Sequence, residues 1–270
     1  MSENQNRVLR LVMVGILLFS MFVVAREGSE YVYTVKGIDI VGNMRNASGN
    51  KAGGGTREEM KEQLHNKEMQ AEEKEKSAKF CVVIDAGHGG KDPGKVGING
   101  ALEKDINLQI ALLLKMYLEA DDVKVIMTRE GEDGLYDEGA SNKKVQDMKR
   151  RLEMIEEAEP ELVISIHQNS YHEEYVKGAQ VFYYTTSEKS KGLAEVIQMQ
   201  LKTLDEANNR QAKGNDSYYL LKKTARPIVI VECGFLSNRE EAEHLITPAY
   251  QEKIAFQIHM GIMKYLNALH

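Results

Sequence analysis

From Phe80 onward, short apolar runs alternate with longer amphipathic segments, an order typical of α/β proteins. Strands are predicted at CVVIDA, VKVIMT, LVISI, AQVFYY and PIVIV, and helices over residues 105–120, 145–158, 187–204 and 248–269. LVISI and PIVIV are apolar at almost every position, which indicates burial on both faces. The pattern predicts one α/β domain, a mostly parallel sheet flanked by helices on both faces, with its site beyond the carboxyl ends of the strands.

The start of the chain follows a different pattern. Arg7 and Arg10 precede an uncharged, mostly apolar run over residues 11–25, and Arg26 closes it. At about 1.5 Å per residue this run spans roughly 22 Å, against a hydrocarbon core near 30 Å. Residues 1–26 are therefore predicted to be a signal peptide or a membrane anchor, with cleavage left open. We expect the chain to be exported across the cytoplasmic membrane.

A charged, flexible tether is predicted over residues 27–79. It contains a glycine triplet, Gly53–Gly55, followed by a charge-rich, apolar-poor run that cannot fill a core. Residues 31–41 show strand-like alternation and are either an edge strand or part of the tether. The catalytic domain is then expected to occupy residues 80–270.

Composition excludes several classes of protein. With 41 acidic and 35 basic residues the net charge is −6, which argues against binding to nucleic acid. The two cysteines, Cys81 and Cys233, are too few for a disulfide framework. A bond between them is not expected, because one opens its strand and the other closes a parallel one.

Chemically active side chains follow three of the predicted strands. His88 follows the first, His167 the third and Glu232 the last, while Glu103 precedes the first long helix. Two imidazoles and a carboxylate suffice to hold a catalytic zinc, and a spare carboxylate can act as a base. Taken singly, the two histidines and Glu103 also fit structural roles, in a turn, in the core and at a helix N-terminus.

Two alternative motifs are excluded because each lacks a required residue at the required spacing. The Gly-rich turn after the first strand has Asp92 where the third glycine of a dinucleotide-binding loop would lie, and Val176 replaces the second histidine of a helical zinc motif at His172.

The segments VVIDAGHGGKDPG, LEKDI, VISIHQNS and PIVIVECGFLSN resemble those of the zinc-dependent N-acetylmuramoyl-L-alanine amidases of the amidase 3 type, which hydrolyse peptidoglycan. The resemblance spans residues 80–270. It implies that His88, Glu103 and His167 bind one Zn²⁺ and that Glu232 is the catalytic residue. Within the family, MTRE, GAQVFYY, YQEKIA and the apolar N-terminal segment look most like sporulation and germination members, which help to make muramic δ-lactam in spore cortex.

The resemblance also implies the reaction and its setting. The bond cleaved would be the amide between the lactyl group of N-acetylmuramic acid and L-alanine of the stem peptide. The implied location is the cell wall or the forespore intermembrane space, with N-terminal contact to the membrane. Spore-forming relatives can depend on an activating lipoprotein, so such a partner is expected here.

Finer expectations concern residues near the site. Arg151 is given a structural or substrate-positioning role, and Asn169 is expected to support His167. Gln168 is expected to narrow or polarise the groove, which should be an open cleft.

Two alternative functions remain compatible with the sequence. One is a catalytically weak adaptor that binds peptidoglycan, and the other is a zinc carboxypeptidase acting within the stem peptide. The complete set of candidate residues weighs against the adaptor.

Overall fold

The computed structural model describes residues 78–269. The predicted signal or anchor, the tether up to residue 77 and the candidate strand over residues 31–41 lie outside the described residues. Within residues 78–269, no helix is both long enough and apolar enough to cross a membrane.

Six strands form one sheet in the order β2-β1-β3-β6-β4-β5. Their bounds are β1 Cys81–Ala86, β2 Lys124–Met127, β3 Leu162–Asn169, β4 Gln180–Tyr184, β5 Lys213–Asn215 and β6 Ile228–Phe235. The pairs β1–β2, β1–β3, β3–β6 and β4–β5 are parallel, and β4 runs antiparallel to β6. The predicted, mostly parallel sheet is confirmed, with β5 as an additional strand.

Helices connect the strands and cover the sheet. Their bounds are α1 Glu103–Ala120, α2 Lys143–Ala158, α3 Glu188–Leu201, α4 Tyr219–Lys223, α5 Arg239–Leu245 and α6 Pro248–Ala268. The four predicted helices are present, although α3 ends at Leu201 instead of residue 204. The short helices α4 and α5 were not predicted.

Two apolar layers hold these helices to the sheet. One layer packs α1, α3, α5 and α6 against one face, through strand side chains such as Ile84, Ile164 and Val231. The other packs α2 and α4 against the opposite face, through Val163 and Ile230. The predicted architecture, with helices on both faces, is confirmed.

Strand alternation places the polar side chains of the central strands on the face covered by α2 and α4. Because Val163 and Ile230 point to this face, His167 and Glu232 do so as well, and the two residues are partners in the β3–β6 register. Both lie inside their strands, which extend further than the sequence predicts. As expected, no disulfide joins Cys81 and Cys233.

Candidate functional site

Three of the predicted site residues meet at the carboxyl ends of β1 and β3. The Nε2 atom of His88 lies 3.2 Å from Oε1 of Glu103, and the Nδ1 atom of His167 lies 3.0 Å from the same oxygen. Each of the three residues offers one potential ligand atom, and these atoms all lie within 4.8 Å of one another. The structure thus brings together His167 and Glu103, which lie 64 positions apart in the chain.

Glu103 is the first residue of α1, because this helix begins two residues before the predicted start at residue 105, and its carboxylate is buried. Backbone N–H groups fix it: Lys95 donates to Oε2 at 2.7 Å and Gln168 donates to Oε1 at 3.1 Å. Burial alone would raise the pKa of Glu103, but hydrogen bonds and charge from His167 and His88 hold it well below its ordinary value. The carboxylate is therefore kept ionised and aimed at the imidazoles.

His88 lies in the loop after β1, with a left-handed backbone at φ 64°. Its Nδ1 atom pairs with Oδ2 of Asp92 at 3.0 Å, which directs Nε2 toward Glu103. Burial would lower the pKa of His88, yet Glu103 and Asp92 together raise it. Sequence reasoning missed Asp92, although its position four residues after His88 was a usable signal.

Two glycines let this loop approach the cluster closely. A Cβ atom at Gly87 would lie 2.3 Å from Cε1 of His167, and one at Gly94 would lie 2.5 Å from Oε2 of Glu103. Gly94 also has a φ of +67°, which favours glycine. Any larger residue would displace the side chains that form the cluster.

Arg151 is buried beneath the loop and binds its backbone. It donates to the carbonyl oxygens of Ala86 at 2.8 Å and His88 at 2.6 Å, and it forms ion pairs with Asp85 and Asp147. Burial would raise the pKa of Asp85, but the Arg151 charge and a Ser165 hydrogen bond lower it to about 2. These contacts give Arg151 the structural role expected for it.

Glu232 lies beside the cluster in a buried position, with 6% of its surface exposed. Its Oε2 atom has no hydrogen-bond partner within the described part of the chain. Burial raises the pKa of Glu232 to about 7, against the opposing charge of His167. A buried carboxyl oxygen that lacks a protein partner is suited to meet a ligand or a water molecule.

The expectation for Gln168 is wrong. Its side chain is buried, its Nε2 donates to Oδ1 of Asn107 at 3.1 Å, and it does not line the cleft. The reason is strand alternation: a neighbour of His167 in β3 must point to the opposite face. Asn169 accepts a hydrogen bond from the N–H of Ser170 at 2.8 Å, and its support of His167 stays a prediction.

A cleft of about 410 Å³ adjoins the cluster on the side covered by α2 and α4. The side chains of His88 and His167 are 20% and 22% exposed, so a ligand in the cleft can reach them. The remaining walls combine apolar, aromatic and cationic side chains, among them Pro93, Tyr136, Met148, Tyr218, Tyr219, Lys91, Lys143 and Lys144.

The donor set fits zinc. Tetrahedral zinc, with bonds of about 2.0–2.1 Å, spaces its ligand atoms by roughly 3.3 Å. The two imidazole nitrogens already lie 3.2 and 3.0 Å from the Glu103 oxygen. Two nitrogens and one carboxylate also match a catalytic site with an open fourth position, whereas magnesium and calcium prefer oxygen ligands.

Comparison with known proteins agrees with the sequence motifs. The family model described as N-acetylmuramoyl-L-alanine amidase, of the amidase 3 type, matches residues 82–264. The germination-specific N-acetylmuramoyl-L-alanine amidase of Bacillus subtilis (strain 168) is 40% identical over 187 residues, covering 68% of this chain and 78% of that protein.

Solved structures show the same fold. The CwlD amidase from Clostridioides difficile, solved in complex with the GerS lipoprotein, is 42% identical with a TM-score of 0.68, covering 70% of this chain and 99% of that one. The amidase AmiC2 of Nostoc punctiforme is 33% identical with a TM-score of 0.62, covering 71% of this chain and 99% of that one. The resemblance to germination members is confirmed, and the chain belongs to the N-acetylmuramoyl-L-alanine amidase family and is an enzyme of that class.

Proposed function

We propose that the chain is a zinc-dependent hydrolase of the amide bond between the lactyl group of N-acetylmuramic acid and L-alanine of the peptidoglycan stem. One Zn²⁺ would be held by His88, Glu103 and His167, and Glu232 would be the catalytic residue. The observation that supports this most is the convergence of two imidazole nitrogens on one carboxylate oxygen, beside a buried Glu232 whose Oε2 atom has no hydrogen-bond partner among the described residues.

Each protein group has a defined task in this proposal. Zinc in this site would supply a Lewis acid that polarises the carbonyl and lowers the pKa of a water molecule from about 15.7 toward about 7. Asp92 fixes the ring of His88, and the backbone N–H groups of Lys95 and Gln168 fix the carboxylate of Glu103. Because Glu232 lines the cleft, a lactyl carbonyl bound there would lie within its reach.

Glu232 moves the protons. Its carboxylate takes one proton from the attacking water as the new carbon–oxygen bond forms. It then gives that proton to the departing nitrogen as the carbon–nitrogen bond breaks. The products are a lactyl carboxylic acid on the sugar and a stem peptide with a free amino group on L-alanine.

The variant Glu232→Gln tests this role. It removes the proton acceptor and keeps the shape, so peptide release should fall by about 10²- to 10⁴-fold while the zinc content stays the same. The matched control is Glu240→Gln, an exposed glutamate on α5, which should keep full activity. Full activity of Glu232→Gln would refute the assignment.

We further propose that the enzyme acts on spore cortex, where peptide removal precedes formation of muramic δ-lactam. The support is the B. subtilis relative, which is a germination-specific amidase. Spores that lack the chain, or carry only Glu232→Gln, should contain no muramic δ-lactam in a muropeptide analysis. Normal lactam content in such spores would exclude this role.

We also propose that the chain is exported and works with a lipoprotein. The N-terminal apolar segment supports export, and the C. difficile CwlD structure contains the GerS lipoprotein. Zinc titration of the full chain, with and without a co-purified lipoprotein, tests whether the lipoprotein acts on the enzyme. Tighter zinc binding in the complex is expected, and equal affinity would exclude activation through the metal.

A further inference from the structure

We propose that the cleft wall at the start of α2 binds carboxylates of the stem peptide, with Lys144 as the main contact, so that the enzyme prefers stems with free carboxylates over amidated stems. This inference rests on the proposed function and names the part of the substrate that the cleft selects.

Three lysines line this wall. Lys143 and Lys144 are the first two residues of α2, and Lys91 comes from the loop after β1. The first turn of a helix favours acidic side chains, because its backbone N–H groups carry partial positive charge. The first turn of α2 has no acidic residue. The two lysines therefore oppose the helix dipole, and their position favours an anion bound in the cleft.

Most charges around the cleft already have partners. Arg151 forms ion pairs with Asp85 and Asp147, and Asp92 pairs with His88. Arg151 is shared by two carboxylates, so the positive charge that a bound stem meets at this wall comes from the three lysines.

The three lysines of the wall have few close ion-pair partners. Lys91 and Lys143 share one carboxylate, that of Glu138, at 3.2 and 3.0 Å. Lys144 forms no ion pair with any of residues 78–269, although its charge helps to lower the pKa of Asp92. Of the three lysines, Lys144 is therefore the one that forms no ion pair within the described part of the chain.

The chemistry of peptidoglycan identifies the anion. N-acetylated sugars are uncharged. The lactyl carboxyl of muramic acid forms the amide that is cleaved and therefore carries no charge either. The free carboxylates belong to the stem peptide. A cationic wall beside the cluster therefore orients the stem between α2 and α4, where Tyr136, Met148 and Tyr218 offer apolar contacts.

The test compares two synthetic muramyl peptides, one with free stem carboxylates and one with the same groups amidated. With the zinc-loaded full chain, we expect a KM about fivefold lower for the free form at equal kcat. Lys144→Ala should raise the KM of the free form about fivefold, leave kcat unchanged and abolish the preference. Lys144→Arg should retain the preference for the substrate with free carboxylates. The matched control is Lys149→Ala, on the same helix, exposed and paired with Glu153 outside the cleft.

The outcomes separate this inference from the proposed function. Equal KM values for both substrates in the native enzyme, or an equal loss on both in Lys144→Ala, overturn the carboxylate site and leave the amidase assignment intact. Failure of the native enzyme to release peptide from either substrate overturns the proposed function and this inference with it.

Discussion

Gly87→Ala should remove a zinc ligand without unfolding the protein. The added Cβ would lie 2.3, 2.4 and 2.8 Å from Cε1, Nε2 and Nδ1 of His167, whereas ordinary contact begins near 3.4 Å. The imidazole must therefore move by about 1 Å. Zinc–ligand distances are maintained within about 0.2 Å, so this shift removes one of three ligands. We expect zinc affinity to fall by about 100-fold or more.

Competition with a chromophoric chelator measures this affinity, and circular dichroism verifies the fold. The matched control is Gly139→Ala, where an added Cβ meets no atom within 4 Å. It should bind zinc as the native chain does. If Gly87→Ala also binds zinc with native affinity, His167 is not a ligand and the proposed metal site is wrong.

Three further predictions concern the support of the site. Arg151→Met should lower the free energy of unfolding by about 3–5 kcal/mol in urea denaturation, because it leaves two buried carboxylates unpaired; a loss below about 1 kcal/mol would contradict this. The pKa of Asp85 is lowered to about 2, so its ionised form stabilises the fold above about pH 4. That stabilisation, about 2 kcal/mol, should disappear between pH 4 and pH 2, and Asp85→Asn should not show this loss; identical pH dependence in both chains would refute the assignment. Asp92→Asn should weaken zinc binding about 10- to 100-fold through His88, and unchanged affinity would exclude that role.

The larger elements could be predicted because their signals are local. Apolar runs gave five strands, and amphipathic periods gave four helices. The strand β5, whose sequence is Lys-Gly-Asn, has no apolar alternation, and its pairing with β4 depends on tertiary contacts. The helices α4 and α5 have five and seven residues, which is too short for a helical period to stand out.

Some residues of the candidate site could likewise be predicted from local sequence signals, and others could not. His88, Glu103, His167 and Glu232 could be proposed as site residues because they follow predicted strands or precede a predicted helix, and because their motifs resemble those of a known family. The position of Lys144 in the cleft could not be predicted, because it depends on how α2 packs against the loop after β1. Gln168 was placed wrongly because the strand was expected to end before it, and alternation was not carried through to residue 168.

We propose above that the enzyme cleaves the muramoyl-L-alanine bond and needs zinc to do so. The most direct test of this proposal is mass spectrometry of the products from purified peptidoglycan, incubated with the full chain in the presence of zinc and after its removal by a chelator. We predict the release of intact stem peptides with a free L-alanine amino group, and only in the presence of zinc. Release of single C-terminal amino acids would indicate a carboxypeptidase, and equal release after chelation would contradict the role of the metal.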